Sequence, residues 1–381
     1  MNCKSKIDNF LCMDIIEKAT KMEKEGESII HFEKGELDFN TPQIIIDEAI
    51  DILRNKKSKY TVSSGLMELK EAICYYYSKK YSVTINTDQI FINAGSSPAL
   101  LTLFLALFDE GDEIILSNPC YSGYPKFIEI VKAEPIFINI ESSGFSYKAD
   151  AVENYITSQT KAILINSPSN PIGAVLDKEE LKKFSGLGPL IISDEVYHGI
   201  SYGDDRDYSI LEFTDNAVVA NSFSKLYSMT GWRLGYIIVP ERFISAIKSL
   251  QQNFFVSPNF FVQWAAIVAL KNELPEIELH KYELNKRKNY LCNEIVKLGL
   301  EIPYHPQGAF YIFAKIKDYC DNSIEFSKNL LDKYKVAVTP GIDFGSDGEG
   351  YIRMSYSLSL EDIDEGIKRL RSYLSEFQRR N

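Results

Sequence analysis

Apolar residues recur along this 381-residue chain with two different periods. Over residues 13–24 they fall on one side of a helix, and residues 43–56 and 65–79 repeat that spacing. From residue 89 the period shortens. Brief β-branched runs at 89–93, 113–117, 135–139, 162–166, 190–193, 217–221 and 235–239 alternate with helical stretches. Several are apolar throughout, as expected of strands covered on both faces. Seven such runs with helical spacers predict an α/β fold built on a doubly wound, mostly parallel seven-stranded sheet.

The pattern changes near residue 285. A long charged helix over 276–298 leads to short strands at 309–315, 336–339 and 351–355, and a last helix covers 360–379. This predicts a smaller α+β domain of residues 285–381, joined by residues 1–47, beside a large domain of residues 48–284.

Composition adds exclusions. With 45% hydrophobic and 25% charged residues, the chain has ordinary globular content and length enough for two domains. A net charge of -11 argues against nucleic acid and anionic membrane as partners, so any anion site must be local. Six scattered cysteines without CxxC spacing read as reduced thiols, not as disulfides or a zinc site, and no metal is expected. Residues 1–26 carry no signal-peptide core. The longest apolar run, residues 99–108, is half a membrane span. A cytoplasmic protein is expected.

Against that background Lys225 stands out, in the run Asn221-Ser222-Phe223-Ser224-Lys225-Leu226-Tyr227-Ser228-Met229-Thr230-Gly231-Trp232-Arg233. Neighbouring cations and partial desolvation lower an ammonium pKa, which suits an imine-forming amine. Ser222 and Arg233 offer a phosphate a hydroxyl and a guanidinium fork. Together they suggest pyridoxal phosphate (PLP), which needs a Schiff-base lysine, a phosphate cup and a partner for its pyridine nitrogen.

Other segments carry weaker signals. Gly95, Ser96 and Ser97 join a strand end to an apolar helix, where an anion is favoured; taken alone, they are first a capped helix. Asn170, between Pro168 and Pro171, reads either as a rigid turn or as an amide held toward a site. Asp194 ends a very apolar strand and calls for a partner such as a protonated pyridine nitrogen, with Tyr197 close by. Asp194 alternatively caps the following helix, or joins Glu195 and His198 on a metal, though no His-rich segment completes such a site. Tyr121 offers a ring to stack on, or is core. Arg353, in an apolar strand, suits either a salt bridge or a substrate carboxylate. The order and spacing of the set carry more than any member.

In that order, and at Asn170-Pro171-Ile172-Gly173, Asp194-Glu195-Val196-Tyr197, Ser222-Phe223-Ser224-Lys225, Gly231-Trp232-Arg233 and Arg353, the chain resembles the class I/II aminotransferases of the PLP fold-type I superfamily. The resemblance implies that Lys225 forms the internal aldimine and shuttles the proton. It implies that Asp194 pairs with the ring nitrogen, that Asn170 and Tyr197 bind the ring oxygen, and that Tyr121 stacks on the ring. Ser96, Ser97, Ser222 and Arg233 would hold the phosphate, with Ser224 near. Arg353 would take the substrate α-carboxylate, with Gly35 and Asn170 beside it. A homodimer with shared sites is implied, Tyr60 reaching the neighbouring subunit's phosphate.

Two departures stand out. Ile172 replaces a frequent threonine. Ser97 replaces the lysine with which related aspartate aminotransferases bind the distal carboxylate. The implied reaction moves an amino group between an L-amino acid and a 2-oxo acid by a ping-pong route. A β-lyase, synthase or decarboxylase on the same scaffold, or a non-catalytic PLP-binding protein, are the competing readings.

Overall fold

The computed structural model describes residues 10–56, 58–203 and 206–377. Strand β1 (Ile30–His31) lies apart from the central sheet. That sheet is built from β2 (Ile90–Asn93), β3 (Glu113–Asn118), β4 (Glu134–Asn139), β5 (Thr160–Asn166), β6 (Leu190–Asp194), β7 (Ala217–Ser222) and β8 (Gly235–Ile238). Its order is β2-β8-β7-β6-β5-β3-β4, and all neighbours are parallel except β8, which is antiparallel to β2 and β7. The expected seven-stranded, mostly parallel sheet is therefore present.

Period-2 alternation explains its two-sided burial. Ile163 and Ile165 of β5 enter one apolar cluster, while Ala162 and Leu164 enter the cluster on the opposite face. Both faces are covered, so the strands read as continuous apolar runs. Register then decides what the sheet presents at its ends. Asn166 pairs with Asp194, Asp194 with Ala220, and Ser222 with Gly235. Polar residues that close three apolar strands thus converge along one edge, the usual place for a site in such sheets.

The second region contains β9 (Tyr311–Lys315), β10 (Val336–Ala337), β11 (Thr339–Pro340) and β12 (Tyr351–Ser355). Strands β11-β12-β9 form an antiparallel sheet, and β1 pairs in parallel with β10. The single strand expected over 336–339 is thus two short ones serving different sheets. Pro340, which lacks an N–H, sits at the sheet edge, where none is needed. The strand expected from 309 begins at Tyr311, because Ala309 takes a left-handed φ of 55°.

The helix expected over 276–298 runs Pro275–Lys297, so position 285 lies inside one continuous helix. Its Leu284, Leu291 and Ile295 pack into the second region's core. The final helix is Leu360–Leu374, shorter than expected: residues 375–377 leave it in a turn, and 378–379 lie outside the described residues.

Candidate active site

A cavity of about 440 Å³ opens where the sheet edge meets the second region. Of the residues given a catalytic, cofactor or substrate role in the sequence, all except Tyr60 line it. Tyr60 is 86% exposed and stands outside it.

Lys225 follows β7 and is drawn to the cavity centre. Its Nζ donates to the Gly35 carbonyl at 2.5 Å. Burial first, then the charges of Arg353 and Arg233, lower its pKa from the ordinary lysine value to about 8. A substantial fraction is therefore neutral amine near pH 8. Space beside Gly35 is tight, since a Cβ on it would lie 3.0 Å from the Tyr311 hydroxyl. That hydroxyl is 3.0 Å from Tyr197 Oη, so two tyrosines flank the lysine.

Asp194 is buried at the end of β6. Its Oδ2 accepts from the Tyr124 hydroxyl at 2.7 Å and its Oδ1 from the Val196 N–H at 3.2 Å. Burial pushes its pKa up to about 6 despite those donors. Neither donor is a cation, and no ion pair to Asp194 forms among the described residues. Glu195 and His198 turn elsewhere. Glu195 accepts from Ser209 Oγ at 3.0 Å and the Ile210 N–H at 3.1 Å, and His198 Nδ1 lies 2.8 Å from Tyr81 Oη.

One end of the cavity is an anion cradle. Gly95, at φ 110°, introduces the helix Ser96–Leu107, whose first N–H groups have no helical acceptor. A Cβ on Gly95 would stand 2.7 Å from Arg233 Nη2, so only glycine lets the guanidinium come this close. Ser222 Oγ lies 2.9 Å from Ser224 Oγ and 3.0 Å from the Leu234 carbonyl oxygen.

At the other side Arg353 is fully enclosed. It donates to Asn170 Oδ1 at 3.1 Å, to the Glu33 carbonyl at 2.6 Å and to Thr339 Oγ1 at 3.1 Å. Its guanidinium carbon lies 4.4 Å from the Tyr311 ring centre. The Nε–H has no partner among the described residues, a buried donor that a carboxylate would satisfy. Asn170 is fixed in turn, because its N–H donates to Asn166 Oδ1 at 2.9 Å.

Four contributors escaped the sequence reading. Tyr124 lies one helical turn beyond Tyr121 in the same loop-helix segment, a spacing that offered a signal. Asn166 ends an apolar strand as Asp194 does, so it too was detectable. Tyr311 and the wall of helix Leu11–Lys24 (Cys12, Met13, Ile16) enter only through tertiary packing.

The residues fit PLP. Asp194 is a buried carboxylate lacking a cation, Lys225 is a low-pKa amine, and the Gly95 to Ser97 turn with Arg233 matches a phosphate. A profile described as "Aminotransferase class I and II" matches residues 27–370. The (5-formylfuran-3-yl)methyl phosphate transaminase of Methanocaldococcus jannaschii is 41% identical, covering 97% of this chain and 98% of that protein. The aspartate aminotransferase of Geobacillus stearothermophilus is 34% identical over 94% of this chain and 95% of that one. The solved aspartate aminotransferase of Thermus thermophilus with maleate superposes with a TM-score of 0.93 at 28% identity, covering 98% of this chain and 100% of that one. The chain belongs to the class I and II aminotransferase family.

Proposed function

We propose that this aminotransferase moves an amino group between an L-amino acid and a 2-oxo acid by a ping-pong route, with PLP carried on Lys225. The observation that supports this most is the 2.5 Å contact of Lys225 Nζ with Gly35, in a cavity that also holds Asp194, Arg233 and Arg353. PLP, when bound, supplies a carbonyl for amines and an electron-withdrawing ring.

The chain's own groups do the rest. Asp194, ionised, holds positive charge at the ring nitrogen, and its buried position makes that pairing strong. Asn170 and Tyr197 would hold the ring oxygen, and Tyr121 would offer its face to the ring. Ser96, Ser97, Ser222 and Arg233 would hold the phosphate. Arg353, with Asn170 and Gly35, takes the substrate α-carboxylate and sets the α-carbon beside Lys225. Lys225 then removes the α-proton and returns it as an acid.

Residues 48–284 are proposed as the cofactor-binding unit, and 1–47 with 285–381 as a smaller unit whose approach brings Arg353 inward and excludes water. A cytoplasmic homodimer is also proposed, with Tyr60 completing the neighbouring phosphate site. Thr61 donates its N–H to Ser257 Oγ at 2.8 Å, which ties the segment carrying exposed Tyr60 and Val62 to the one carrying exposed Phe254 and Val256. Exposed apolar side chains of that kind suit a subunit interface. The relatives are named for aspartate and for a furanylmethyl phosphate, so donor and acceptor do not pass to this chain by name.

Initial rates at several fixed oxo-acid concentrations test the reading. Parallel double-reciprocal lines are expected; converging lines would mean both substrates bind together and would contradict it.

A further inference from the structure

The residue that holds Arg353 is itself held by a line of charges leading out of the core. Glu33 offers its backbone carbonyl to Arg353 Nη2 at 2.6 Å. Its side chain is sealed from water and meets His31, with Oε1 2.7 Å from Nδ1. Across the ring, His31 Nε2 stands 3.1 Å from Glu23 Oε1, at ion-pair distance but out of hydrogen-bond alignment. Glu23 is half exposed, near the end of helix Leu11–Lys24, whose Cys12, Met13 and Ile16 form part of the cavity wall.

Carboxylates thus face both ring nitrogens. A neutral imidazole has one N–H and would set a lone pair against one carboxylate; an imidazolium has two N–H groups, one for each. Glu33 adds a second reason. Its Oε2 has no hydrogen-bond partner, and among the described residues its only ion pair is with His31. A carboxylate so enclosed depends on that one cation.

Burial alone would lower the His31 pKa, but Glu33 and Glu23 outweigh it and raise the value above the ordinary 6.5, with Lys34 opposing them. Other nearby charges are engaged elsewhere. Lys335, which precedes β10, lies 3.1 Å from Glu27, and Arg369 of the final helix lies 2.8 Å from Glu365.

This segment is tied to the strand that carries Arg353. The carbonyl of Phe32, between His31 and Glu33, accepts from the Ser355 N–H at 2.7 Å, and Ser355 lies two residues beyond Arg353 on β12. A shift of the 31–33 backbone therefore reaches Arg353 both through the Glu33 carbonyl and through β12. When His31 loses its charge, the enclosed Glu33 must take up a proton or move toward water.

We propose that His31 is a positioning residue for carboxylate binding: as an imidazolium it fixes Glu33, and through the Glu33 carbonyl it holds Arg353 in the geometry that accepts a substrate carboxylate. Deprotonation loosens that hold. Because folding raises the His31 pKa, the contribution is present in full below 6.5 and is lost as pH rises through the folded value. The inference rests on the assignment of the α-carboxylate to Arg353.

The test uses the PLP-loaded protein with propionate as the carboxylate probe, titrated by calorimetry across the pH range. Proton NMR of the ring C2–H signals, the one lost in His31→Gln marking His31, gives its pKa directly. Wild-type affinity should exceed that of His31→Gln about tenfold near pH 6 and converge on it near pH 9. Asp194 and Lys225 are common to both proteins and cancel in that ratio. His31→Lys keeps a cation that does not titrate in this range, so its affinity should stay high throughout, which restored packing alone would not produce.

A ratio that is constant with pH overturns the proposal. So does a His31 signal that titrates below the ordinary value, or a His31→Lys protein that behaves like His31→Gln. Propionate that fails to bind the wild type, or binds Arg353→Leu as tightly, would instead remove the Arg353 assignment, and the proposal with it.

Discussion

The Tyr124 hydroxyl donates to Asp194 Oδ2 at 2.7 Å from within the fully buried core. Burial pushes Asp194 up to about pH 6, and the Tyr124 hydrogen bond opposes that rise by favouring the carboxylate. The ionised form is the one that pairs with a ring cation.

Tyr124→Phe should therefore raise the Asp194 pKa further. Asp194 is protonated below its pKa, so the acid limb of PLP binding to the apoprotein should move to higher pH. Turnover at pH 7 should fall about tenfold, the scale of a lost hydrogen bond to a charged group. An acid limb that stays in place in this variant would argue against Asp194 as the ring-nitrogen partner.

Lys225 gives the alkaline counterpart. With its pKa lowered to about 8, its amine is neutral above that pH and protonated below. The rate at which the apoprotein takes up PLP as an imine should rise with pH around a midpoint near 8, instead of continuing toward the ordinary lysine value of 10.5. Removing a cation raises that pKa, so Arg353→Leu should shift the midpoint upward. Stopped-flow absorbance measures both, and identical midpoints would contradict the charge coupling.

Gly95→Ala tests the cradle. The added Cβ would fall 2.7 Å from Arg233 Nη2 and would occupy a φ of 110°, where side chains are strained. PLP affinity should drop about tenfold or more, whereas pyridoxal, which lacks the phosphate, should lose much less. Equal losses for both ligands would show that the turn does not hold the phosphate.

Tyr60 tests the dimer. Sedimentation should give twice the chain mass, and Tyr60→Phe should weaken PLP binding without changing that mass. A monomer with full activity would remove the proposed role of Tyr60.

How much of this was legible in the sequence follows from local against tertiary causes. The inner strands of the central sheet were readable because both faces are covered, leaving largely apolar runs. Asp194 and Arg353 were readable because each is a charged residue in an apolar strand, Lys225 because hydroxyls and a guanidinium surround it in sequence, and Asn170 because prolines flank it. Ala309 and the break at Val338 were not, since one left-handed residue and a change of sheet partner leave no periodic trace. Nor was the role of Glu33. Its backbone carbonyl, not its side chain, accepts from Arg353 at 2.6 Å, and side-chain identity carries no information about that. Met13 and Ile16 read as helix-face residues, and only packing puts them over the cavity.

The central claim is that Lys225 carries the cofactor through an amino-group transfer. The direct measurement is the visible spectrum of the PLP-loaded protein and of Lys225→Ala, titrated with an amino-acid panel while 2-oxo acid is assayed. The wild type should lose its absorbance band with one oxo acid formed per site and regain it on adding a second oxo acid. Lys225→Ala should bind PLP yet convert amino acids slower by orders of magnitude. A Lys225→Ala protein that turns over near the wild-type rate, or a wild type that releases ammonia or carbon dioxide in place of the oxo acid, would contradict the account.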